Sequence, residues 1–177
     1  MNTIQDKYWD DAVVGESCTS PAYEVTEARV MAYADLSGDH TPVHTDEAYA
    51  RTTPFGTRVA HGLFGLSIAD GLKTKSDMRF QPGMSLGWEW SFVGPIKLGD
   101  TVRVRFSVGS KRESKSRPGW GILVLPSELI NQRDEVVQKG EHRVMVPCRP
   151  PGRPKADAPP RGDDAEGVLG ADMRGAR

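Results

Sequence analysis

Gly62-Leu63-Phe64-Gly65-Leu66-Ser67-Ile68-Ala69-Asp70-Gly71-Leu72 is the stretch on which the fold turns. Its apolar side chains lie almost all the way round a helical wheel, which predicts a helix that is buried rather than half exposed. A buried helix must be wrapped by something, and the second half of the chain supplies the wrapping. Leu86, Trp88, Trp90 and Phe92 alternate with Ser85, Gly87, Glu89 and Ser91. Val102, Val104, Phe106 and Val108 alternate with Arg103, Arg105 and Ser107. A period of two predicts strands with one buried face. Residues 95–100 form the turn between these strands. An apolar run at 121–125 continues toward Ile130, and 136–146 is a further strand with a hairpin turn at 131–134. The expected class is α+β, a largely antiparallel sheet around one long helix.

On the N-terminal side of the long helix, Thr26 reads as an N-cap and Glu27 sits in the first turn that follows. Ala28, Val30, Met31, Tyr33, Ala34 and Leu36 give an amphipathic stripe, and Gly38 is a natural stop, so a short helix is expected over 27–36. Residues 37–44 read as a loop, because Pro42 biases Thr41 away from helical angles. Thr45 is then the expected cap of a second short helix over about 46–51. Thr53-Pro54-Phe55-Gly56 breaks the chain again.

The chain has 177 residues, enough for one domain. Apolar residues make up 37%, and the deficit is concentrated in 147–177, which holds six prolines and no aromatic residue. The expected organisation is a single domain over 1–148 followed by a Pro/Gly-rich, disordered tail over 149–177. A net charge of −1 provides no field that would gather nucleic acid. The charge is segregated, −8 over residues 1–50 and +6 over 51–148. The longest apolar runs fall far short of the ~20 residues of a membrane span. The acidic start MNTIQDKYWDD lacks the apolar core of a signal peptide. Cys18 and Cys148 make no metal-ligand pattern. The expected setting is the reducing cytoplasm, with neither nucleic acid nor membrane as a partner.

Three groups of residues can carry chemistry. Asp39 and His44 would lie about 140° apart on a helix, but a Pro-containing loop can fold both toward one point, where a carboxylate and an imidazole hold one water. The alternative is that Asp39 only turns the chain and His44 only neighbours a cap. His61-Gly62 is the second group. Gly62 opens the buried helix, where free N–H groups and the positive end of the dipole suit an oxyanion; the alternative is a packing glycine beside a structural histidine. The third is basic: Arg103, Arg105, Lys111, Arg112, Lys115 and Arg117, of which the last four are expected in a loop. They suit a phosphate-rich ligand or simply a solvated strand edge. The chain contains no GxSxG, Walker A or GxGxxG pattern, and its four histidines make no metal pattern, so no metal ligand is expected.

Taken together, Ser37-Gly38-Asp39-His40-Thr41-Pro42-Val43-His44, then Ala48, then Phe55-Gly56-Thr57-Arg58-Val59-Ala60-His61-Gly62-Leu63 resemble the MaoC-like hydratases, the (R)-specific enoyl-CoA hydratase family. That family's pattern runs S-G-D-x-N-P-x-H and then F-G-x-x-V-A-H-G-[ML]. Residues 92–102 and 131–133 are similar to it as well, and the resemblance spans about 10–147. It implies a hotdog fold, a homodimer or a multiple of dimers, and active sites near the subunit interface. Its substrates are 2-enoyl thioesters of coenzyme A or of a carrier protein, as in fatty acid metabolism. It implies Asp39 and His44 as catalytic residues and Thr41, Gly62 and Leu63 as substrate-binding ones, with the Gly62 N–H on the thioester oxygen. No cofactor is implied beyond the coenzyme A of the substrate. Thr41 stands where the family commonly has Asn, and Asp70 where short-chain members often have Ser. A thioesterase or a non-catalytic acyl-CoA-binding dimer is the alternative, because a fold does not fix a function.

Overall fold

The computed structural model describes residues 6–152. The deciding helix is present as α4, Gly62–Lys73. Phe64, Ala69 and Leu72 on its inner side share one core with Val102, Val104 and Phe106 of β4 (Thr101–Ser107) and with Leu123, Leu125 and Leu129 of β6 (Trp120–Ile130). Val137 and Val146 of β7 (Val136–Pro147) complete this core. Each large side chain buried this way contributes about 1.5–3 kcal/mol. Burial all round α4, as its composition predicts, does not hold in the single chain. Leu63 is 59% exposed, and Ser67, Asp70 and Gly71 are exposed on the same side of the helix. The sheet covers one side of the helix and leaves the other open.

The sheet is antiparallel, in the order β1 (Ser17–Thr19), β4, β6, β7, β3 (Met84–Phe92). Two short strands join its flanks: β2 (Tyr23–Glu24) pairs with β4, and β5 (Ser110–Glu113) with β6. The alternation in β4 is as the sequence predicts, with Val102, Val104 and Phe106 inside and Arg103 and Arg105 outside. The β6–β7 hairpin turns at 131–134. The Asn131 side-chain oxygen accepts from the Arg133 N–H at 2.9 Å, and Asp134 takes the left-handed conformation, φ 58°. In β3 the expected single buried face is interrupted. A bulge between Ser85 and Gly87 breaks the alternation, so that Leu86 is exposed, and Phe92 is 55% exposed. The bulge lies on the last strand of the sheet order, with β7 on one side of it.

The region before α4 departs from its sequence reading at two points. Helix α1, Glu27–Ser37, begins and ends as expected: the Thr26 hydroxyl oxygen accepts from the Arg29 N–H, and Gly38 caps the end at φ 74°. Val30 and Ala34 form its buried side, while Leu36 faces outward. The expected loop then contains a helical turn, α2, Pro42–Thr45. Proline is tolerated there because it occupies the first helical position, and Thr41 stays non-helical at ψ 130°. Helix α3, Glu47–Ala50, is capped by Asp46, whose carboxylate accepts from the Tyr49 N–H at 3.1 Å, and not by Thr45. Thr45 already closes α2, and its hydroxyl donates back to the His40 carbonyl at 3.3 Å.

The basic group is also placed differently. Lys111 and Arg112 lie in β5 rather than in a loop. The Lys111 ammonium donates to the carbonyls of Trp9 and Ala12, at 3.0 and 2.9 Å, and lies over the Trp9 ring. Arg105 pairs with Glu128 across the strands at 2.7 Å. Arg149, just past the expected domain boundary, is tied to the same N-terminal turn: its N–H donates to the Asp10 carboxylate and its guanidinium pairs with Asp11. The rest of the expected tail, from 153 onward, lies outside the described residues. Among the described residues, no helix is long and apolar enough to cross a membrane.

Candidate active site

The turn at α2 does what a straight helix would prevent. One ligand-type atom each from Asp39, His44 and His61 lie within 4.8 Å of one another. Asp39 follows the Gly38 cap, His44 rides on α2, and His61 is the residue immediately before α4. The loop is held by a second set of contacts. Glu47 on α3 accepts from the Arg58 N–H at 3.2 Å, and the Arg58 guanidinium bonds Glu27 of α1 at 2.8 Å. The Val59 N–H donates to Val43 and the Ala60 N–H to Ile96, which seats the segment leading to His61 on the rest of the fold.

Hydrogen-bond partners orient both imidazoles. His44 Nδ1 is 2.7 Å from the Val59 carbonyl, which only accepts, so Nδ1 carries a proton and Nε2 is the ring nitrogen left for another partner. His61 Nε2 is 2.8 Å from the Asp39 carbonyl and must likewise donate, leaving Nδ1 as the acceptor. His61 Nδ1 is buried with no hydrogen-bond partner among the described residues. Burial holds the His61 imidazole below its ordinary pKa, so it is neutral at neutral pH. The two rings lie 3.8 Å apart at 31°, so the buried His61 fixes the plane of the more accessible His44.

Asp39 is exposed, and its acidity is set by Thr41. The Thr41 hydroxyl donates to Oδ1 at 2.6 Å and the Thr41 N–H at 3.1 Å, which holds the carboxyl below the usual range. Thr41 therefore fixes the Asp39 rotamer and keeps it ionised. Among the described residues, Asp39, His44 and His61 are also a group whose ligand-type atoms lie close enough to hold a cation, with one imidazole nitrogen of each histidine already committed to a carbonyl.

Gly62 opens α4 beside this cluster, where the first-turn N–H groups have no intrahelical partner. A side chain at Gly62 would meet the Phe92 ring at 3.0 Å. The Gly62 carbonyl accepts from Gln138 Nε2 at 2.9 Å, and Gln138 Oε1 accepts from the Trp90 indole at 3.0 Å. Gln138, buried on β7, thus pins the helix start to the sheet. Gly65 leaves room for it, since a Cβ there would lie 2.4 Å from Gln138 Nε2. Leu63, expected at the site, points outward and is largely exposed. Asp39, Thr41, His44 and Gly62 come together at the start of α4. His61 was a candidate only as the neighbour of Gly62, with no role of its own, and Gln138 was not among the expected site residues. His61 stands in the quoted motif, whereas a lone Gln in a strand gives no local signal.

Comparison with known proteins places the chain in a family. The family model described as "MaoC like domain" matches residues 11–119. Protein MaoC of Klebsiella aerogenes is 36% identical over 122 residues, which cover 64% of this chain and 36% of that protein, so the chain spans about a third of its length. The (R)-specific enoyl-CoA hydratase of Rhodospirillum rubrum is 32% identical over 145 residues, covering 80% of this chain and 93% of that one. The crystal structure of the MaoC-like dehydratase from Rhodospirillum rubrum superposes with a TM-score of 0.73 at 33% identity, over 81% of this chain and 99% of that chain. A Mycobacterium tuberculosis protein described as having a double hotdog fold, 21% identical, shares the fold at a TM-score of 0.68, over 94% of this chain and 53% of that one.

Proposed function

This chain belongs to the MaoC-like domain family, and on that premise we propose that it adds water reversibly to a 2-enoyl thioester, enoyl-CoA in the first instance, giving a 3-hydroxyacyl thioester. The observation that carries the reading is the convergence of Asp39 and His44 at the open N-terminal turn of α4. An ionised carboxylate and an imidazole Nε2 can hold one water between them, and one of its protons is removed as it adds. Asp39 takes the proton from the attacking water as oxygen bonds to C3. His44 holds the same water, and the proton that Asp39 has taken is passed on to C2 within the Asp39–His44 pair, so both groups end as they began and atoms and charge balance across the addition. Negative charge builds up on the thioester oxygen, and the Gly62 N–H, at the positive end of α4, stabilises it. Removing one such donor typically costs about 10²–10³ in rate. His61 acts as a positioning residue, through the Asp39 carbonyl and the His44 ring.

The reading includes a homodimer. Leu63, Leu86, Phe92 and Val93 are exposed apolar side chains, the first on the open side of α4 and the others in or next to β3, at the end of the sheet order. A second copy would cover this surface and the open side of α4.

The test is to incubate the chain with but-2-enoyl-CoA and record two signals. Loss of the conjugated-thioester absorbance without release of free thiol supports the reading. Thiol release from saturated acyl-CoA assigns a thioesterase instead, and no turnover with any enoyl-CoA, with binding retained, assigns a non-catalytic binding protein.

A further inference from the structure

At the opposite end of α4, Lys73 and His142 form a polar cluster that the hydration chemistry does not use. Lys73 is 8% exposed and His142 6%. Lys73 Nζ is 2.7 Å from His142 Nδ1 and 3.4 Å from the Asp70 carboxylate, and it lies over the Trp88 ring at 4.1 Å. His142 stacks flat on the same indole, with centroids 4.0 Å apart. Its Nε2 is 2.9 Å from the Ser85 hydroxyl. The cluster faces a cavity of about 500 Å³, a size typical of small-molecule sites, whose walls include Phe80, Phe106, Leu125 and Val144.

The direction of these hydrogen bonds defines what the cavity offers. Burial lowers the Lys73 ammonium to about pKa 8, so at neutral pH it is still charged and donates to His142 Nδ1. His142 is neutral, because burial and then the Lys73 charge push it down to about 4. With Nδ1 accepting, its one proton is on Nε2 and is donated to Ser85 Oγ. The Ser85 hydrogen is therefore not needed by His142, and Ser85 and Lys73 both line the cavity as donors. The charges there already cancel: Lys73 faces Asp70, and Arg79 faces Asp6 at 3.0 Å. An incoming carboxylate would leave one negative charge uncompensated in a partly desolvated pocket, whereas a neutral oxygen satisfies the donors without that penalty.

We propose that this cavity binds an aliphatic chain carrying a neutral oxygen acceptor, a carbonyl or a hydroxyl, received by Ser85 and Lys73. Resting on the proposed hydratase reading, that chain is the acyl group of the thioester, and the enzyme then prefers oxygenated acyl chains. The binding itself can be measured without turnover.

The first experiment titrates the full chain with 2-hexanone and with hexanoate, by calorimetry and by NMR shifts of the Trp88 indole and Ser85 amide signals. The ketone is expected to bind and shift both signals. Hexanoate is expected to bind roughly tenfold more weakly or not at all, the scale of one unfavourable buried charge. Ser85→Ala, and separately Lys73→Met, should each weaken the ketone about 2–10-fold, the worth of one hydrogen bond. Ser85 is exposed, so its variant keeps the test valid if Lys73→Met melts early. The second experiment compares 6-hydroxyhex-2-enoyl-CoA with hept-2-enoyl-CoA. A lower KM for the hydroxylated chain, lost in Ser85→Ala, identifies the acyl group as the ligand. If the ketone binds but neither thioester turns over, the hydratase reading fails while the site stands. Equal binding of ketone and carboxylate, or ketone binding unaffected by both variants, would overturn the proposal.

Discussion

The two ends of α4 carry opposite kinds of polar site. At the start, Asp39 is exposed and His44 half-buried, and a hydrogen bond from Thr41 or to a main-chain carbonyl holds each in place. At the end, Lys73 and His142 are buried and held mainly by one another and by an indole face. Exposed groups fixed by local hydrogen bonds can be removed at little cost to the fold. Buried groups whose ionisation depends on burial are linked to stability. The first end should therefore respond to mutation in rate, and the second in melting behaviour.

The largest expected effect is on turnover. Asp39→Asn keeps the size and a turn-compatible side chain but removes the charge, and His44→Ala removes the second water ligand. Each should lower the rate of but-2-enoyl-CoA hydration by about 10²–10⁴, the usual contribution of a positioned acid–base group. The double variant should be little worse than the worse single one, because members of one catalytic unit are not additive. Melting temperatures of all three should stay near wild type. Near-wild-type turnover by either single variant would break the contrast at its first end.

A middle-sized effect tests how the first end is pinned to the sheet. Gly65→Ala would place a Cβ 2.4 Å from Gln138 Nε2 and 2.6 Å from Ile96 Cδ1. Gln138 is held at both ends of its amide, so it cannot swing aside without losing Gly62 or Trp90. Overpacking of this kind costs about 1–3 kcal/mol. Denaturant unfolding should show that loss, together with a fall in turnover from the displaced Gly62 N–H. Unchanged turnover would mean that the position of Gly62 does not depend on Gln138.

Much of this arrangement was legible in the sequence, for identifiable reasons. The apolar run of α4, the alternation of β4, the Thr26 and Gly38 caps and the 131–134 turn are local signals that match local geometry. The motif around Asp39 and His44 was legible too, although spacing alone did not bring His61 to the same point. Where the reading failed, a non-local cause intervened. Thr45 and Asp46 are both good caps, and the choice between them depended on a helical turn that begins with Pro42. Leu86 kept the apolar period but was turned outward by a bulge. The Lys73–His142 pair joins residues 69 positions apart, so no window of sequence contains it.

Lys111 is the case in which a functional expectation becomes a structural one. Its ammonium ties β5 to the carbonyls of Trp9 and Ala12. Lys111→Gln should cost roughly 1.5–3 kcal/mol, the range for hydrogen bonds to a charged group. It should leave the KM for enoyl-CoA unchanged, as measured by thermal melts and steady-state kinetics. A raised KM with an unchanged melting temperature would return Lys111 to substrate binding.

The subtlest effect is in the pH dependence of stability, and the Lys73–His142 pair sets the two windows in which it is tested. His142 has a folded pKa of about 4 against an ordinary 6.5. Between these values the unfolded chain takes up a proton that the folded chain refuses, so stability falls as pH is lowered from about 6.5 through about 4. Lys73 has a folded pKa of about 8 against 10.5. Between about pH 8 and 10.5 the unfolded chain still holds a proton that the folded chain has released, so this group makes stability rise with pH in that window. Carboxylates elsewhere also titrate in acid, so the informative quantity is the difference between variants. His142→Gln offers an amide that accepts from Lys73 and donates to Ser85 but does not titrate, so its melting temperature should fall less than wild type from pH 6.5 to 4. Lys73→Met should lose the alkaline rise and leave the acid limb in place, shifted because its positive charge no longer helps to depress His142. Parallel curves for His142→Gln and wild type would show that the buried end is not linked to pH, and would remove the physical basis for separating the two ends of α4.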